Sequence, residues 1–252
     1  MRTAIVTGSS RNIGRAVARE LAGRGLAVVA NGASDSDALR SVVAQLEREG
    51  VNAVGVPGDV RDPATVRRLL GAARELGGGP DVLVHVPAIR PVQPFLEITA
   101  EDWHHVMSVN LGSLFHLAQA VLPWMLERSW GRIVGFSGAR AVTGHRTGAH
   151  VVASKAGVVG LIRGIAYEYA DRGVTANVVV PGVIDTARAA AFEVAGGRTF
   201  EATQKPAEHD LPPVGRLGTP QEIGQLCAYL ASDEAAFVTG QSLHINGGSQ
   251  FY

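Results

Sequence analysis

The sequence predicts an α/β fold, a single domain built on a doubly wound parallel sheet. Three observations carry this. Short apolar or β-branched runs alternate with stretches of helical period along the chain. Two of those runs, 27–31 and 175–180, are almost wholly apolar, as strands covered on both faces are. The first run ends in a glycine turn that opens directly into a helix. In order, the first strand covers 3–7 and its helix 13–24. The second strand, 27–31, leads to a helix over 35–49 whose start Asp35 and Asp37 cap. Strand 53–57 precedes a helix over 63–75, strand 82–86 the long helical stretch 100–128, and strand 132–137 the helix 153–171. Strand 175–180 and helix 220–232 follow, and strand 242–245 completes the sheet. Helices of this length between strands imply right-handed crossovers. Residues 185–218 form the one long irregular stretch, with Gly196-Gly197, Pro206, Pro212 and Pro213. A loop of that length reads as a lid over a binding site, apolar early on at Ala187 and at 189–192.

Hydrophobic residues make up 46% of the 252 and charged residues 18%, which supports a large core and excludes disorder. Lys+Arg equals Asp+Glu at 23 each, so neither a nucleic acid nor an anionic membrane is an expected partner. Cys227 is the only cysteine; it reads as a core residue and leaves no disulfide framework. His104 and His105 lack ligand spacing with any acid, and no metal is expected. No secretory pattern follows Met1, and no apolar run reaches the roughly 18 residues of a membrane helix. The expectation is a soluble, cytoplasmic protein.

Between the first strand and its helix the chain reads Thr7-Gly8-Ser9-Ser10-Arg11-Asn12-Ile13-Gly14. Such a turn lets backbone approach a pyrophosphate, and the helix N-terminus favours its charge. Asn12 stands where a third glycine is expected, and Asn is the residue that best tolerates left-handed dihedrals. With this turn, the chain resembles the short-chain dehydrogenase/reductase superfamily over nearly its whole length. Thr7 to Gly14 resembles the family's TGxxxGxG turn. Gly58-Asp59-Val60 is similar to its adenine segment, Val109-Asn110-Leu111 to the segment with the active-site Asn, and Ala153-Ser154-Lys155 to the end of YxASK. Pro181 to Thr186 resembles PGxxxT, and Gly215-Arg216-Leu217-Gly218 and Asn246-Gly247-Gly248 resemble C-terminal signatures. The resemblance implies a Rossmann fold and a homo-oligomer, dimer or tetramer, with a small-molecule substrate. It implies a cofactor held by Gly8, Ser10, Arg11, Asn12, Ile13 and Gly14, by Asn31, Asp59 and Val60, and by Pro181, Gly182, Ile184 and Thr186, with Asn110 and Lys155 between cofactor and chemistry. Only two of the basic residues are Lys, 155 and 205, and one of them falls where the family needs an ammonium. Residues 30–34 carry no acid for the ribose hydroxyls, and Arg11 offers a cation to a 2′-phosphate, so the expected cofactor is NADP(H).

The same comparison exposes what is missing. The family's proton-donating Tyr, four residues before the Lys, is Val151 here, and its Ser partner is Gly138. Ser137 is one residue out of register and points to the other face of its strand. Tyr167, the first tyrosine, lies roughly 18 Å along the helix from Lys155. The family's NNAG segment is His85-Val86-Pro87-Ala88, which alters the cofactor groove and leaves open a chain that binds no cofactor. His145, His150 and Arg140 surround the vacancy in sequence and are candidate replacements, the histidines as acids and Arg140 as an anion stabiliser. The C-terminal Phe251-Tyr252 is expected at a subunit contact, with Tyr252 entering a neighbour's pocket as the bolder alternative. Two readings result. One is an atypical enzyme that reduces an activated C=C or carbonyl, or that dehydrates, cyclises or isomerises its substrate. The other is a catalytically inactive cofactor-binding or scaffold subunit.

Overall fold

A computed structural model describes residues 1–186, 191–193, 199–201 and 211–251. Seven parallel strands form one sheet: β1 (Thr3–Thr7), β2 (Ala27–Gly32), β3 (Ala53–Pro57), β4 (Val82–His85), β5 (Gly131–Phe136), β6 (Val174–Pro181) and β9 (Ser242–Ile245). Their spatial order is β3-β2-β1-β4-β5-β6-β9. The sheet grows outward in two directions from β1 and β4, so a crevice opens between the carboxyl ends of those two strands. Every residue of β1, β2 and β5 is buried, the result of helices on both faces.

On one face, α1 (Asn12–Gly23), α2 (Asp37–Arg48) and α8 (Pro220–Leu230) pack through Val17, Leu21, Leu39, Leu46 and Ile223 onto Val6, Val28 and Val84. On the other, α3 (Pro63–Gly77), α5 (Ser113–Glu127) and α7 (Ala149–Tyr169) bury Leu69, Leu114, Leu117, Met125 and Ile162 against Ile5, Leu83 and Ile133.

The predicted strands and helices are present, with three departures that bear on function. The stretch 100–128 is α4 (Ala100–Met107), a π-helical turn (Ser108–Gly112) and α5, so its period slips by one residue at Asn110. α7 begins four residues before the predicted 153, because Gly148 turns into it with φ +90° and donates its N–H to Gln93 O at 2.8 Å. That anchoring overrides the weak helix propensity of Val151 and Val152. A short helix α6 (Arg140–Thr143) stands where a loop was expected. Within the proposed lid, β7 (Ala191–Glu193) pairs antiparallel with β8 (Thr199–Glu201). Residues 187–190, 194–198 and 202–210, including Lys205, lie outside the described residues, as does Tyr252.

Ala100–Glu127 and Ala149–Arg172 are long and apolar enough to cross a membrane by length and composition alone, with mean hydropathy 1.2 and 1.3, although polar residues such as Asp102 and Lys155 interrupt their apolar runs. Both segments turn an apolar face onto the sheet through Leu114, Leu117, Val158 and Ile162.

Candidate functional site

The site is built where β1 and β4 part. β1 ends at Thr7, and the chain must turn back sharply into α1. Gly8 makes that turn with φ +67°, and Asn12 adopts φ +50°, the left-handed conformation expected of it. Gly14 is required by close approach, since a Cβ there would lie 2.1 Å from the Gly8 carbonyl oxygen. α1 starts with no side-chain cap and no acid in its first turn, which leaves its leading N–H groups for an anion. Ser10 lies beside Gly32 at the end of β2, and Arg11 is exposed next to it. No carboxylate stands at Gly32-Ala33-Ser34, and the nearest, Asp35, is paired with Arg40. A turn of small residues, an uncapped helix and an acid-free strand end fit a dinucleotide carrying a 2′-phosphate.

Asn31, named above among the cofactor-holding residues, stands in β2. It is buried, and its Nδ2 donates to Val56 O at 2.9 Å and Gly58 O at 3.0 Å. Its own carbonyl accepts from Ser9 N and Ser9 Oγ at 2.8 and 3.2 Å. Asn31 therefore ties β2, β3 and the glycine turn together and shapes the cradle. Asp59, just beyond β3, is gripped by the Arg61 guanidinium, with Nε at 2.9 Å from Oδ2, which holds its carboxyl below the ordinary carboxylate range. Val60 beside it is buried.

Lys155 is buried in α7 and donates from Nζ to Phe136 O at 2.8 Å. Burial, with the nearby Arg90 charge adding to it, pushes the amine down to about 7. Ser137 donates from Oγ to Lys155 O at 2.9 Å, so its hydroxyl belongs to the scaffold. Gly138 faces open space, where an added Cβ would meet nothing within 4 Å. Val151 lies one helical turn before Lys155. Asn110 sits on the π-helical turn, clamped to the segment after β4. Its Oδ1 accepts from Ile89 N at 2.8 Å, and its Nδ2 donates to Ile89 O and to Ser154 Oγ, both at 3.0 Å. Ser154 thus joins Asn110 to the helix that carries the lysine.

Pro181 ends β6, and the segment after it is held tightly. Gly182 donates to Ile245 O at 2.9 Å, and a Cβ there would lie 2.7 Å from Asn246 Cα. Ile184 is buried and bridges to Gly218, with Thr186 beside it at the base of the lid.

The candidate replacement donors stand in different surroundings. His145 is exposed, its Nδ1 2.6 Å from Thr147 O in its own loop. His150 is buried in α7, and both ring nitrogens are without a hydrogen-bond partner among the described residues. Desolvation lowers its pKa, opposed by the Asp102 charge. Arg140 is exposed at the head of α6. Among the described residues no three His, Cys, Asp or Glu side chains gather as metal ligands.

One site residue escaped the sequence reading. His85, the last residue of β4, is fully buried with Nδ1 2.9 Å from Thr7 Oγ1 and Nε2 2.9 Å from Ser113 Oγ. Burial, and then the Lys155 charge, push it down to about 3. Its position at the carboxyl end of a strand flanking the crevice was the available signal.

The chain is similar to known proteins over nearly its whole length. The family described as enoyl-(acyl carrier protein) reductase matches residues 8–250. The chain is 38% identical over 247 residues to the 3-oxoacyl-(acyl-carrier-protein) reductase of Vibrio cholerae, covering 98% of this chain and 96% of that one. It is 37% identical over 245 residues to the Escherichia coli protein of the same name, covering 97% and 96%. A crystal structure of an Agrobacterium tumefaciens protein, provisionally assigned as a gluconate dehydrogenase, superposes with a TM-score of 0.84 at 28% identity, covering 98% and 95%. By sequence, by fold and by the arrangement around Lys155, this chain belongs to the short-chain dehydrogenase/reductase superfamily.

Proposed function

We propose that this chain is a cytoplasmic, homo-oligomeric NADP(H)-dependent reductase that acts on a small, mostly apolar substrate without a Ser–Tyr acid pair, its preferred substrate an activated C=C. The observation that carries the reading is the buried Lys155–Ser154–Asn110 arrangement beside an open Gly138 and a hydrocarbon at Val151. When bound, NADP(H) supplies the hydride. The chain's own residues do the rest: the glycine turn and Arg11 hold phosphates, Gly182 to Thr186 fix the base of the lid, and Lys155 places an ammonium near the developing negative charge. Hydride addition to the β-carbon of a conjugated C=C leaves charge spread over an enolate, which a cation stabilises until a proton reaches the α-carbon. A simple ketone leaves an alkoxide that requires an acid, and a positioned acid is worth typically 10²–10⁴-fold. An amine with a pKa near 7 delivers a proton through water in a later step. The relatives' names concern enoyl and 3-oxoacyl groups, and an apolar acyl-type substrate agrees with the apolar early lid.

Fluorescence titration with NADPH and NADH, followed by turnover on matched panels of conjugated enones and plain ketones, tests this. Expected are binding of NADPH over NADH and consumption with the enones. Gly138→Ser combined with Val151→Tyr then raises ketone reduction by about 100-fold or more. Brisk reduction of plain aldehydes by the unaltered chain would overturn the acid-free reading. A second reading, a catalytically inactive cofactor-binding or scaffold subunit, is favoured in its scaffold form by one observation. The Pro87 ring packs against Gly8, 3.2 Å from where a Cβ there would lie, and narrows the groove. Binding without turnover on either panel establishes its cofactor-binding form, and absence of binding removes every redox version.

A further inference from the structure

His85 joins two parts of the site that the sequence keeps apart. On one side is Thr7, the residue before the glycine turn. On the other is Ser113, the first residue after the π-helical turn that presents Asn110. That turn shifts the Ser113 N–H to Ser108 O, five residues back, while the hydroxyl of the same serine reaches Val109 O at 2.6 Å. An oxygen–oxygen separation of 2.6 Å needs a hydrogen between the atoms, and a carbonyl has none. The Ser113 hydroxyl therefore donates to Val109 O and has only its lone pairs left for His85. His85 Nε2 must be the donor across its 2.9 Å contact with Ser113. The neutral ring then accepts at Nδ1, and Thr7 Oγ1 donates to it at 2.9 Å in preference to Val84 O at 3.5 Å. Each donor in this chain has one acceptor: Thr7 to His85, His85 to Ser113, Ser113 to Val109 O.

We infer that His85, fixed in its Nε2–H tautomer, is a positioning residue that latches the π-helical turn to the strand feeding the cofactor turn, and so sets where Asn110 stands. The inference rests on the reading that Asn110 and Lys155 form the polar centre of the site. It accounts for a buried imidazole at the end of a parallel strand, which otherwise brings only desolvation. It also explains why the period of the α4–α5 run slips at Asn110: the serine hydroxyl, held by the imidazole, takes the carbonyl that a regular α-helix would give to the serine amide.

The test needs neither substrate nor NADPH, so its failure is distinct from a failure of the proposed activity. The full-length protein with ¹⁵N-labelled histidine is examined by long-range ¹H–¹⁵N NMR, with the His85→Phe spectrum identifying the His85 signals. Expected is a pure Nε2–H tautomer that persists at pH 5, and Ser113→Ala shifts the population toward Nδ1–H with Thr7 as acceptor. Hydrogen exchange at the Ile89 amide, which donates to Asn110 Oδ1, reads the position of Asn110. Ser113→Ala and His85→Phe should each speed it about tenfold or more while Val28 and Val29 in β2 keep their protection. Where His85→Phe does not fold, Ser113→Ala carries both measurements. An Nδ1–H tautomer in the parent, or Ile89 exchange unchanged in Ser113→Ala, overturns the inference.

Discussion

Lys155 and His85 share one buried region, and the pKa of each falls for the same reasons: burial strips the charged form of solvation, and a neighbouring cation, Arg90 for the lysine and Lys155 for the histidine, adds to it. Their effects on stability run in definite directions. Lys155 has its pKa lowered from 10.5 to about 7 in the folded chain. Between those values the unfolded chain binds more protons, so stability rises with pH across that window. Lys155→Met removes the penalty of a buried ammonium and leaves the Phe136 carbonyl without its donor. The variant should be about 2 kcal/mol more stable than the parent at pH 6, and the gap should close as pH rises toward 10. Urea unfolding at several pH values checks this, and a pH-independent difference contradicts it. His85, lowered from 6.5 to about 3, contributes stability that is whole above pH 6.5 and is lost as pH falls toward 3. Acid unfolding of His85→Phe should therefore show a slope shallower by up to about 1.4 kcal/mol per pH unit over that range.

At the scale of elements, the cofactor turn and the π-helical turn show what a sequence reveals and what it hides. The turn was legible because its constraint is written in residue types: a glycine at φ +67°, an Asn at φ +50° and a glycine pressed on a carbonyl. Gly14→Ala tests it. Its Cβ would collide with Gly8 O, and the turn cannot give way without moving α1. NADPH binding should weaken by about 100-fold or more, with far-UV circular dichroism unchanged. Retained affinity in that variant would mean the dinucleotide does not use this turn. The π-helical turn was invisible, because residues 100–128 keep a helical period across it and the slip is decided by contacts made from another strand. The same holds for α7, whose start is fixed by the Gly148 bond to Gln93 and not by its own propensities. Val151 and Gly138 could be read directly at the positions where the family resemblance expects a Tyr and a Ser. Where His145 and His150 stand could not, because exposure and burial are decided by packing: one faces solvent and the other is buried in α7.

For the whole molecule, the two halves of the sheet share one crevice only if they are held as one body, and the helix pair α1–α8 does much of that holding. α1 belongs to the first crossover and α8 to the last, yet among the described residues they pack more extensively than any other pair of elements, and Val17, Leu21, Ile223 and Cys227 enter one core. They approach closely because α8 carries Gly224 at the contact: a Cβ there would lie 2.9 Å from Ala16 O and 2.8 Å from Glu20 Cγ. The Glu20 side chain can swing away, but the Ala16 carbonyl is helix backbone and cannot. Gly224→Val must therefore part the helices and loosen contacts between residues some two hundred positions apart. It should cost about 2–3 kcal/mol, offset only slightly by the helix-propensity gain of replacing a glycine. Because the contact spans both halves, the loss should move one transition and not split it. Far-UV circular dichroism and the fluorescence of Trp103, Trp124 and Trp130 should report coincident unfolding curves at lower denaturant. Two separated transitions would show that the halves fold independently and that the crevice is an interface between domains.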